Sequence, residues 1–247
     1  LPPALPATIA SPQPQPFRRR GFVVLGTDTG VGKTTVSRAL LALARRRGLR
    51  LLPSKPVETG VVPGQPRDAS LLHEAAGAPC ALPLVGPFAF PIPAAPSVAA
   101  AAAGVPLGLA DLAAAVDALP PADPVLVELA GGLASPLTPT ETCADLAARL
   151  GLPVLLVARN ALGTVNHTAL ALAELRRRGL RLAGLVLVDV DGRSTPDRPT
   201  NASSIEALTG VRPLGCLPFA AQESADELAT LLDRHVDVTT LFAELTA

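Results

Sequence analysis

The sequence predicts an α/β fold in which helices cover both faces of a parallel sheet, all within one domain. Two observations carry this expectation. Short, continuously apolar runs such as 22–25 and 153–157 recur along the chain, and segments with helical spacing separate them. Strands that are apolar throughout are typical of parallel sheets buried on both faces. The 247 residues, of which 49% are hydrophobic, are enough for one well-buried core.

The first strand, expected at 21–26, runs into a glycine-containing loop, and a helix is expected from Lys33 to about Arg47. The loop and helix start read Gly-Thr-Asp-Thr-Gly-Val-Gly-Lys-Thr at 26–34. Such a loop between strand and helix is typical of a P-loop, whose backbone N–H groups and helix N-terminus bind phosphate. The match is imperfect, because Thr27 stands where the usual pattern has its first glycine. The predicted fold class is therefore P-loop NTPase-like.

The remaining elements follow the same alternation. Further strands are expected at 51–57, 124–128, 153–157, 182–188 and 213–217. Further helices are expected at 69–77, 97–103, 109–119, 142–150, 164–178, 201–209, 224–233 and 238–245. Residues 78–96 are rich in Pro and Gly and are predicted to form a long surface excursion.

Composition limits the other classes of protein. Residues 1–20 are predicted to form a disordered Pro-rich tail whose arginines at 18–20 are solvated, and 21–247 to form the domain. A net charge of zero argues against a nucleic-acid partner. The absence of an apolar run of ~18 residues argues against a membrane span. Three widely spaced cysteines (Cys80, Cys143 and Cys216) indicate structural thiols in a reducing, cytoplasmic compartment.

Functional side chains are expected at the carboxyl ends of the strands, because ligands of open parallel sheets bind there. By that rule the P-loop, Lys55, Glu128, Leu162-Gly163 and Asp189 lie on one edge. A second lysine near the phosphates, Lys55, is more than a plain nucleotide switch needs. Its charge would stabilise a transferring phosphoryl group or an oxyanion on the acceptor.

A magnesium site is also predicted at this edge. Mg²⁺ prefers oxygen ligands, usually one or two carboxylates together with phosphate oxygens and water. Glu128 ends a buried strand, where the acid of a Walker B element would stand, and the hydroxyl of Thr34 follows the P-loop lysine. Asp68 supplies a further oxygen or, alternatively, caps the helix that begins near it.

Five stretches, taken in order, resemble the dethiobiotin synthetase family. They are the P-loop at 26–34, Lys-Pro-Val-x-Thr-Gly at 55–60, Glu-x-Ala-Gly-Gly at 128–132, Leu-Gly-Thr-Val-Asn-His at 162–167 and Thr-Gly-Val-x-Pro-Leu-Gly-x-Leu-Pro at 209–218. The resemblance runs from about residue 21 to the C-terminus. Each motif alone is moderately specific, whereas the ordered set is strongly so.

The resemblance implies a homodimeric carboligase of biotin synthesis that depends on Mg²⁺ and ATP. It would convert 7,8-diaminononanoate and CO₂ to dethiobiotin. One amine captures CO₂ as a carbamate, and ATP phosphorylates that carbamate to a carbamic-phosphoric anhydride. The second amine then closes the ureido ring with loss of phosphate.

The resemblance also implies a role for each matching position. The catalytic group comprises Lys55, Lys33 and Thr29. The nucleotide-binding group comprises Gly30, Val31, Gly32, Lys33, Thr34, Thr35, Asp68, Glu128, Gly131, Asp189, Pro218 and Phe219, of which Thr34, Asp68 and Glu128 serve the metal. Thr59 lies near the substrate head, and Leu162, Gly163, Thr164, Val165 and Asn166 receive the substrate carboxylate from across the dimer interface.

Two positions depart from the family pattern. Leu129 follows the strand-end glutamate, where the family usually has glycine, and is expected to bring bulk beside the phosphates. Val188 stands where the family commonly reads adenine with asparagine. Valine has no amide for the base edge, so the sequence predicts relaxed nucleotide choice, with recognition left to backbone near Pro218 and Phe219.

Three other functions stay open from the sequence. A related amide or carboxylate ligase, as in corrinoid side-chain amidation, usually carries an added glutaminase domain. A partition-type ATPase switch places a lysine early in its P-loop, where this loop has Thr27-Asp28-Thr29. The third is a catalytically impaired homologue that keeps the fold, suggested by Leu129 and Val188.

Overall fold

The protein is described by a computed structural model that covers residues 19–63, 65, 67–221 and 224–246. Its strands are β1 Gly21–Gly26, β2 Leu52–Ser54, β3 Val57–Thr59, β4 Phe88–Phe90, β5 Val125–Gly132, β6 Val154–Arg159, β7 Leu182–Val188 and β8 Gly215–Leu217. Its helices are α1 Lys33–Arg46, α2 Asp68–Ala75, α3 Leu82–Val85, α4 Pro96–Ala102, α5 Leu109–Asp117, α6 Cys143–Leu150, α7 Thr164–Arg177, α8 Arg198–Thr209, α9 Ala225–His235 and α10 Thr239–Thr246.

Six of the described strands form one sheet in the order β2-β5-β1-β6-β7-β8, and every pair in it is parallel. β1 lies near the middle of this sheet, between β5 and β6. The P-loop that follows β1 is therefore flanked by the carboxyl ends of both neighbours. The predicted α/β class is confirmed.

Helices cover both faces, as the uniformly apolar strands predicted. Val23 and Leu25 of β1 belong to one buried hydrophobic cluster, which α5, α6 and α7 complete. Phe22 and Val24 belong to the other, which α1, α9 and α10 complete. Because successive side chains of a strand point to opposite faces, strands such as β1 and β7 contribute to both clusters. The two clusters hold the sheet rigid and so fix the positions of its carboxyl ends.

The expected strand at 51–57 is wrong in its second half. β2 ends at Ser54, and the chain leaves the main sheet at Lys55-Pro56. Proline has no backbone N–H to donate to a sheet ladder, so it ends the strand. β3 then pairs with β4 in a separate two-stranded parallel sheet. This break turns Lys55 towards the end of the main sheet.

The expected surface excursion at 78–96 is also wrong. This segment contains α3 and β4, and the side chains of Val85 and Phe90 are buried. The backbone N–H of Lys55 donates to the carbonyl of Val85 at 2.7 Å. The segment thus supports Lys55 from outside the main sheet.

Arg19, which precedes the domain boundary expected at residue 21, contacts the folded domain. Arg19 donates from Nη1 to the carbonyl of Val116 at 2.7 Å, from Nη2 to that of Leu119 at 3.0 Å, and to that of Pro120. The Val116 carbonyl lies in the last turn of α5 and the other two follow that helix, so the cation lies where the helix dipole favours it. The prediction that Arg19 is a solvated lead-in is therefore wrong. The rest of the tail prediction, at residues 1–18, lies outside the described residues.

Within the described ranges, no helix has both the length and the apolarity needed to span a bilayer.

Candidate nucleotide and substrate site

A cavity of about 480 Å³ lies at the carboxyl end of the main sheet. It is lined by Thr29, Gly30, Gly32, Lys33, Thr34, Thr35, Lys55, Glu58, Thr59, Asp68, Glu128, Ala130, Gly131, Val188, Asp189, Val190, Pro218, Phe219 and Ala220. They come from the carboxyl-terminal parts of β5 and β7, from the segments that follow β1, β2, β7 and β8, from β3 and from the start of α2. The edge predicted from the strand ends is thus where most of the predicted site residues meet.

The P-loop has the backbone that phosphate binding needs. Gly30 and Gly32 have φ values of 71° and 97°, a region that side chains with a Cβ disfavour. α1 begins at the next residue, so its free first-turn N–H groups and positive dipole end face the cavity. The side chain of Val31 is buried in the core, which leaves only its backbone to the site.

Lys33 is held at the floor of the cavity. Its Nζ donates to the carbonyls of Gly131 at 2.6 Å and Asp28 at 3.0 Å. Burial and the neighbouring Lys55 lower the pKa of this ammonium. A buried cation beside another cation favours an anion between them. The pair of lysines therefore suits a polyphosphate.

Lys55 lies between two carboxylates. Its Nζ is 2.6 Å from Oε1 of Glu128 and 2.9 Å from Oδ2 of Asp68, and the side chain is only 4% exposed. Burial alone would lower the pKa of this lysine, but the two carboxylates outweigh burial and raise it. Lys55 is consequently a charged donor at neutral pH rather than a base.

The predicted metal ligands meet, and their chemistry fits Mg²⁺. The hydroxyl of Thr34 donates to Oε1 of Glu128 at 2.9 Å. Oε2 of Glu128 is buried and has no hydrogen-bond partner among the described residues. A buried carboxylate oxygen without a partner is costly unless something binds it. Two carboxylates and a hydroxyl are hard oxygen donors that leave positions for phosphate oxygens and water.

Asp68 does not cap α2. It is the first residue of that helix, Arg67 precedes it as the N-cap residue, and no side chain caps the first turn. Its carboxylate contacts Lys55 instead. Of the two alternatives that the sequence left open, the helix-cap role is wrong.

The cavity wall away from the P-loop is largely apolar, and Val188 stands in it where the family pattern has an asparagine that recognises the base. Val188, Val190, Pro218 and Phe219 line it together with Asp189. The nearby amide of Asn160 is engaged elsewhere. Its Nδ2 donates to Asp189 at 2.9 Å, and its Oδ1 accepts from Asn201 at 2.9 Å.

The expectation that Leu129 crowds the phosphates is wrong. The side chain of Leu129 is fully buried in the cluster on the α5–α7 face, whereas its neighbours Glu128 and Ala130 line the cavity. Alternation along β5 turns Leu129 away from the site. The positive φ occurs at Gly131, at 72°. A bulky residue at 129 is therefore no obstacle to nucleotide binding.

The predicted carboxylate-binding segment is not part of the described cavity lining. Leu162 is 85% exposed, and Gly163, with a φ of 92°, precedes the first turn of α7. The side chain of Thr164 is buried, and its Oγ1 has no partner among the described residues. Residues 162–166 therefore lie outside the cavity of their own chain.

Glu58 is the charged residue at the cavity that the sequence did not predict. It lies in the Lys-Pro-Val-Glu-Thr-Gly stretch and is only 4% exposed. The sequence did contain a signal for it, because an acidic residue stands between Lys55 and Thr59, which were both predicted to be site residues. Val190 and Ala220 also line the cavity, and they carry no chemical signal in the sequence.

The cysteines are free thiols throughout the described part of the chain, as predicted. Burial raises the pKa of Cys143 to about 12, although Lys33 and Lys55 oppose that shift. Burial likewise raises the pKa of Cys216 to about 11. Both are neutral at pH 7, so neither is a nucleophile of this site.

Comparison with known proteins agrees with this geometry. The AAA domain family profile matches residues 20–226. The ATP-dependent dethiobiotin synthetase of Anaeromyxobacter dehalogenans strain 2CP-C is 50% identical over 201 residues, which are 81% of this chain and 90% of that one. The chain belongs to the dethiobiotin synthetase family. The corresponding protein of Bacillus licheniformis, a more distant family member, is 35% identical over 228 residues, which are 92% of this chain and 97% of its own.

Proposed function

We propose that this chain is an ATP-dependent dethiobiotin synthetase that closes the ureido ring of dethiobiotin from 7,8-diaminononanoate and CO₂. Membership in the family supports this. The observation that carries it is the buried lysine between two carboxylates at the open end of a P-loop cavity. A nucleotide switch needs the loop, but it does not need Lys55.

The P-loop and its lysine hold the triphosphate. The free N–H groups at the start of α1 face the cavity, and Lys33 can move from the carbonyls of Gly131 and Asp28 to phosphate oxygens. The loss of carbonyl contacts is offset by stronger, charge-assisted bonds to an anion. Val31 and Gly32 contribute their backbone.

Lys55 acts on the transferring group. Once the carbamate has formed on one amine, its oxygen attacks the γ-phosphorus of ATP, and the bond to the β,γ-bridging oxygen breaks. Negative charge on the transferring group is stabilised by the ammonium of Lys55. The second amine then attacks the carbamic carbon, phosphate leaves, and Thr29 and Thr59 lie close enough to the cavity to orient the diamine.

Thr34, Asp68 and Glu128 would hold Mg²⁺. The ion, when bound, neutralises phosphate charge and orients the γ-phosphoryl group. The unpartnered Oε2 of Glu128 supports this assignment.

The proposal includes a homodimer. Leu162 and Leu170 are 85% and 63% exposed, and Leu170 lines a second cavity of about 480 Å³ together with His167 of α7 and Asp28 of the P-loop. Large exposed apolar side chains next to an active site favour a protein partner. A second copy at this surface would bring its residues 162–166 to the substrate carboxylate.

We place the enzyme in the cytoplasm, which suits its free thiols.

The test is phosphate release in the presence of 7,8-diaminononanoate, bicarbonate, Mg²⁺ and ATP, with dethiobiotin identified by mass spectrometry. We expect release that requires the diamine and that Lys55→Ala reduces by about 10²-fold or more. Arg181→Ala, which removes one half of an exposed ion pair with Glu244, is the control. Release that ignores the diamine but responds to a protein partner would instead favour the partition-type switch.

A further inference from the structure

Two ion pairs of opposite polarity join the segment 55–59 to the start of α2. Nζ of Lys55 lies 2.9 Å from Oδ2 of Asp68. Three residues beyond Lys55, Oε1 of Glu58 accepts from Nε of Arg67 at 2.5 Å, and Arg67 directly precedes Asp68. We call Glu58 and Arg67 the outer pair and Lys55 and Asp68 the inner pair.

The outer pair is built into the fold rather than lying on its surface. The side chain of Glu58 is 5% exposed and that of Arg67 29%, whereas the arginine and carboxylate of the Arg181–Glu244 pair are 60% and 29% exposed. Exposed ion pairs contribute little to stability. A buried carboxylate that accepts a charge-assisted hydrogen bond can instead hold its partner in position.

A third segment of the chain contacts the same guanidinium. Nη2 of Arg67 donates to the carbonyl of Gly86 at 2.9 Å. A Cβ at Gly86 would lie 2.4 Å from Cβ of Ala69 and 2.9 Å from Nη2 of Arg67, so a glycine is needed for this close approach. Arg67 therefore ties the start of α2 both to β3 and to the segment between α3 and β4.

The inner pair cannot persist unchanged through the reaction. Lys55 has to face a phosphoryl group, and Asp68 has to face the metal, so each exchanges the other for a new partner. Among the described residues, Lys55 is the side chain that the carboxylate of Asp68 contacts. Without another restraint, the start of α2 would be free to shift when that contact is lost.

We propose that Glu58 and Arg67 are positioning residues, which hold Asp68 at the metal site when Lys55 turns to the substrate. This inference depends on the Mg²⁺ role of Asp68 in the proposed function. Neither Glu58 nor Arg67 touches the reacting atoms. They act through the backbone at Arg67-Asp68, which the outer pair keeps at the mouth of the cavity.

The experiment measures how the binding of a non-hydrolysable ATP analogue depends on Mg²⁺ concentration, by isothermal titration calorimetry. Glu58→Gln and Arg67→Gln are each expected to raise the Mg²⁺ concentration needed for half-maximal binding by about tenfold. Analogue binding without Mg²⁺ should stay within about twofold of the wild type. Because both changes break the same Glu58–Arg67 contact, the double variant should be no worse than Arg67→Gln alone. Arg181→Gln should behave as wild type.

Unchanged Mg²⁺ dependence in folded Glu58→Gln and Arg67→Gln would overturn the proposal, as would fully additive effects. If Arg67→Gln does not fold, Arg67→Lys decides, because it keeps the charge but cannot reach both Glu58 and the Gly86 carbonyl in the same way. Arg67→Lys should raise the Mg²⁺ concentration for half-maximal binding measurably, but by less than tenfold. If that concentration does not rise at all, the result contradicts the role of the outer pair. Since binding is measured without the diamine, the result stands whether or not dethiobiotin forms.

Discussion

Lys55, directly after β2, and Glu128, in the middle of the adjacent strand β5, form a buried ion pair with Nζ 2.6 Å from Oε1. Glu128 is fully buried, and its other oxygen has no partner among the described residues. The catalytic lysine and the metal-binding carboxylate of the proposed reaction are thus each other's counter-ion before nucleotide binds. This pair explains how two charged groups can stay in the interior of a protein with an aliphatic core.

The first prediction concerns folding stability. Lys55→Met is expected to lower the free energy of unfolding by about 3–5 kcal/mol, because it leaves Glu128 as an uncompensated buried charge. Lys55→Met/Glu128→Gln should lose less than Lys55→Met alone, since a neutral amide is cheaper to bury than a carboxylate. Urea unfolding at pH 7 measures both. Equal losses in the single and double variants would contradict the pairing.

The second prediction concerns nucleotide choice. We expect kcat/KM for ATP, CTP and GTP to agree within about tenfold, which is ~1.4 kcal/mol, because Val188 cannot pair with a base edge. Val188→Asn should raise the preference for ATP, since a well-placed amide–adenine pair contributes ~1–3 kcal/mol. Steady-state assays with the three nucleotides decide, and a sharp ATP preference in the wild type would refute the prediction.

The third prediction separates Leu129 from the active site. Leu129→Ala is expected to lower the free energy of unfolding by about 2–5 kcal/mol, because it opens a cavity in a fully buried cluster. The KM for ATP should stay within about twofold in the folded fraction. An increase in kcat/KM on truncation would restore the view that this side chain crowds the phosphates.

The fourth prediction tests the proposed dimer. Lys55→Ala removes the catalytic lysine, and Val165→Pro removes one first-turn N–H of α7, where proline is tolerated. Each variant alone should be nearly inactive. Co-expressed, they should recover up to about a quarter of wild-type activity, since half of the dimers are mixed and each of those has one intact site. No recovery, in dimers shown to be mixed, would mean that residues 162–166 do not serve the partner's site.

The fifth prediction is a pH dependence at the start of α6. Burial would raise the pKa of Asp145, but hydrogen bonds from Thr142 and Arg178 outweigh burial and lower it to about 2, against an ordinary value of 3.8. A carboxyl whose pKa is lower in the folded state stabilises the fold above pH 4, and this contribution disappears as the pH falls towards 2.

Asp145→Ala is accordingly expected to cost about 1–2 kcal/mol at pH 7, and the difference from wild type should shrink between pH 4 and pH 2. Urea titrations across that range measure it. Asp226→Ala, which removes an exposed ion pair with Arg45, is the control and should cost less than about 1 kcal/mol. A difference that does not change with pH would contradict the assignment to Asp145.

Much of the fold followed from local pattern. The apolar runs, the loop at 26–34 and the helix starting at Lys33 are properties of short segments, so the sequence predicted them to within a few residues. The segment after Lys55 was predicted poorly. A three-residue strand such as β3 or β4 has no periodicity of its own, and its partner is about thirty residues away.

The sequence by itself determined the phosphate cradle, the parallel sheet and the ordered motifs that place the chain in its family, because each is encoded by neighbouring residues. Only the tertiary structure decided which way a strand-end side chain points. It turned Leu129 into the core and left Glu128 facing the cavity, because burial of one face fixes the register of β5. It also brought Glu58 to Arg67 and Lys55 to Asp68. Such contacts between distant segments depend on packing, which no local pattern specifies.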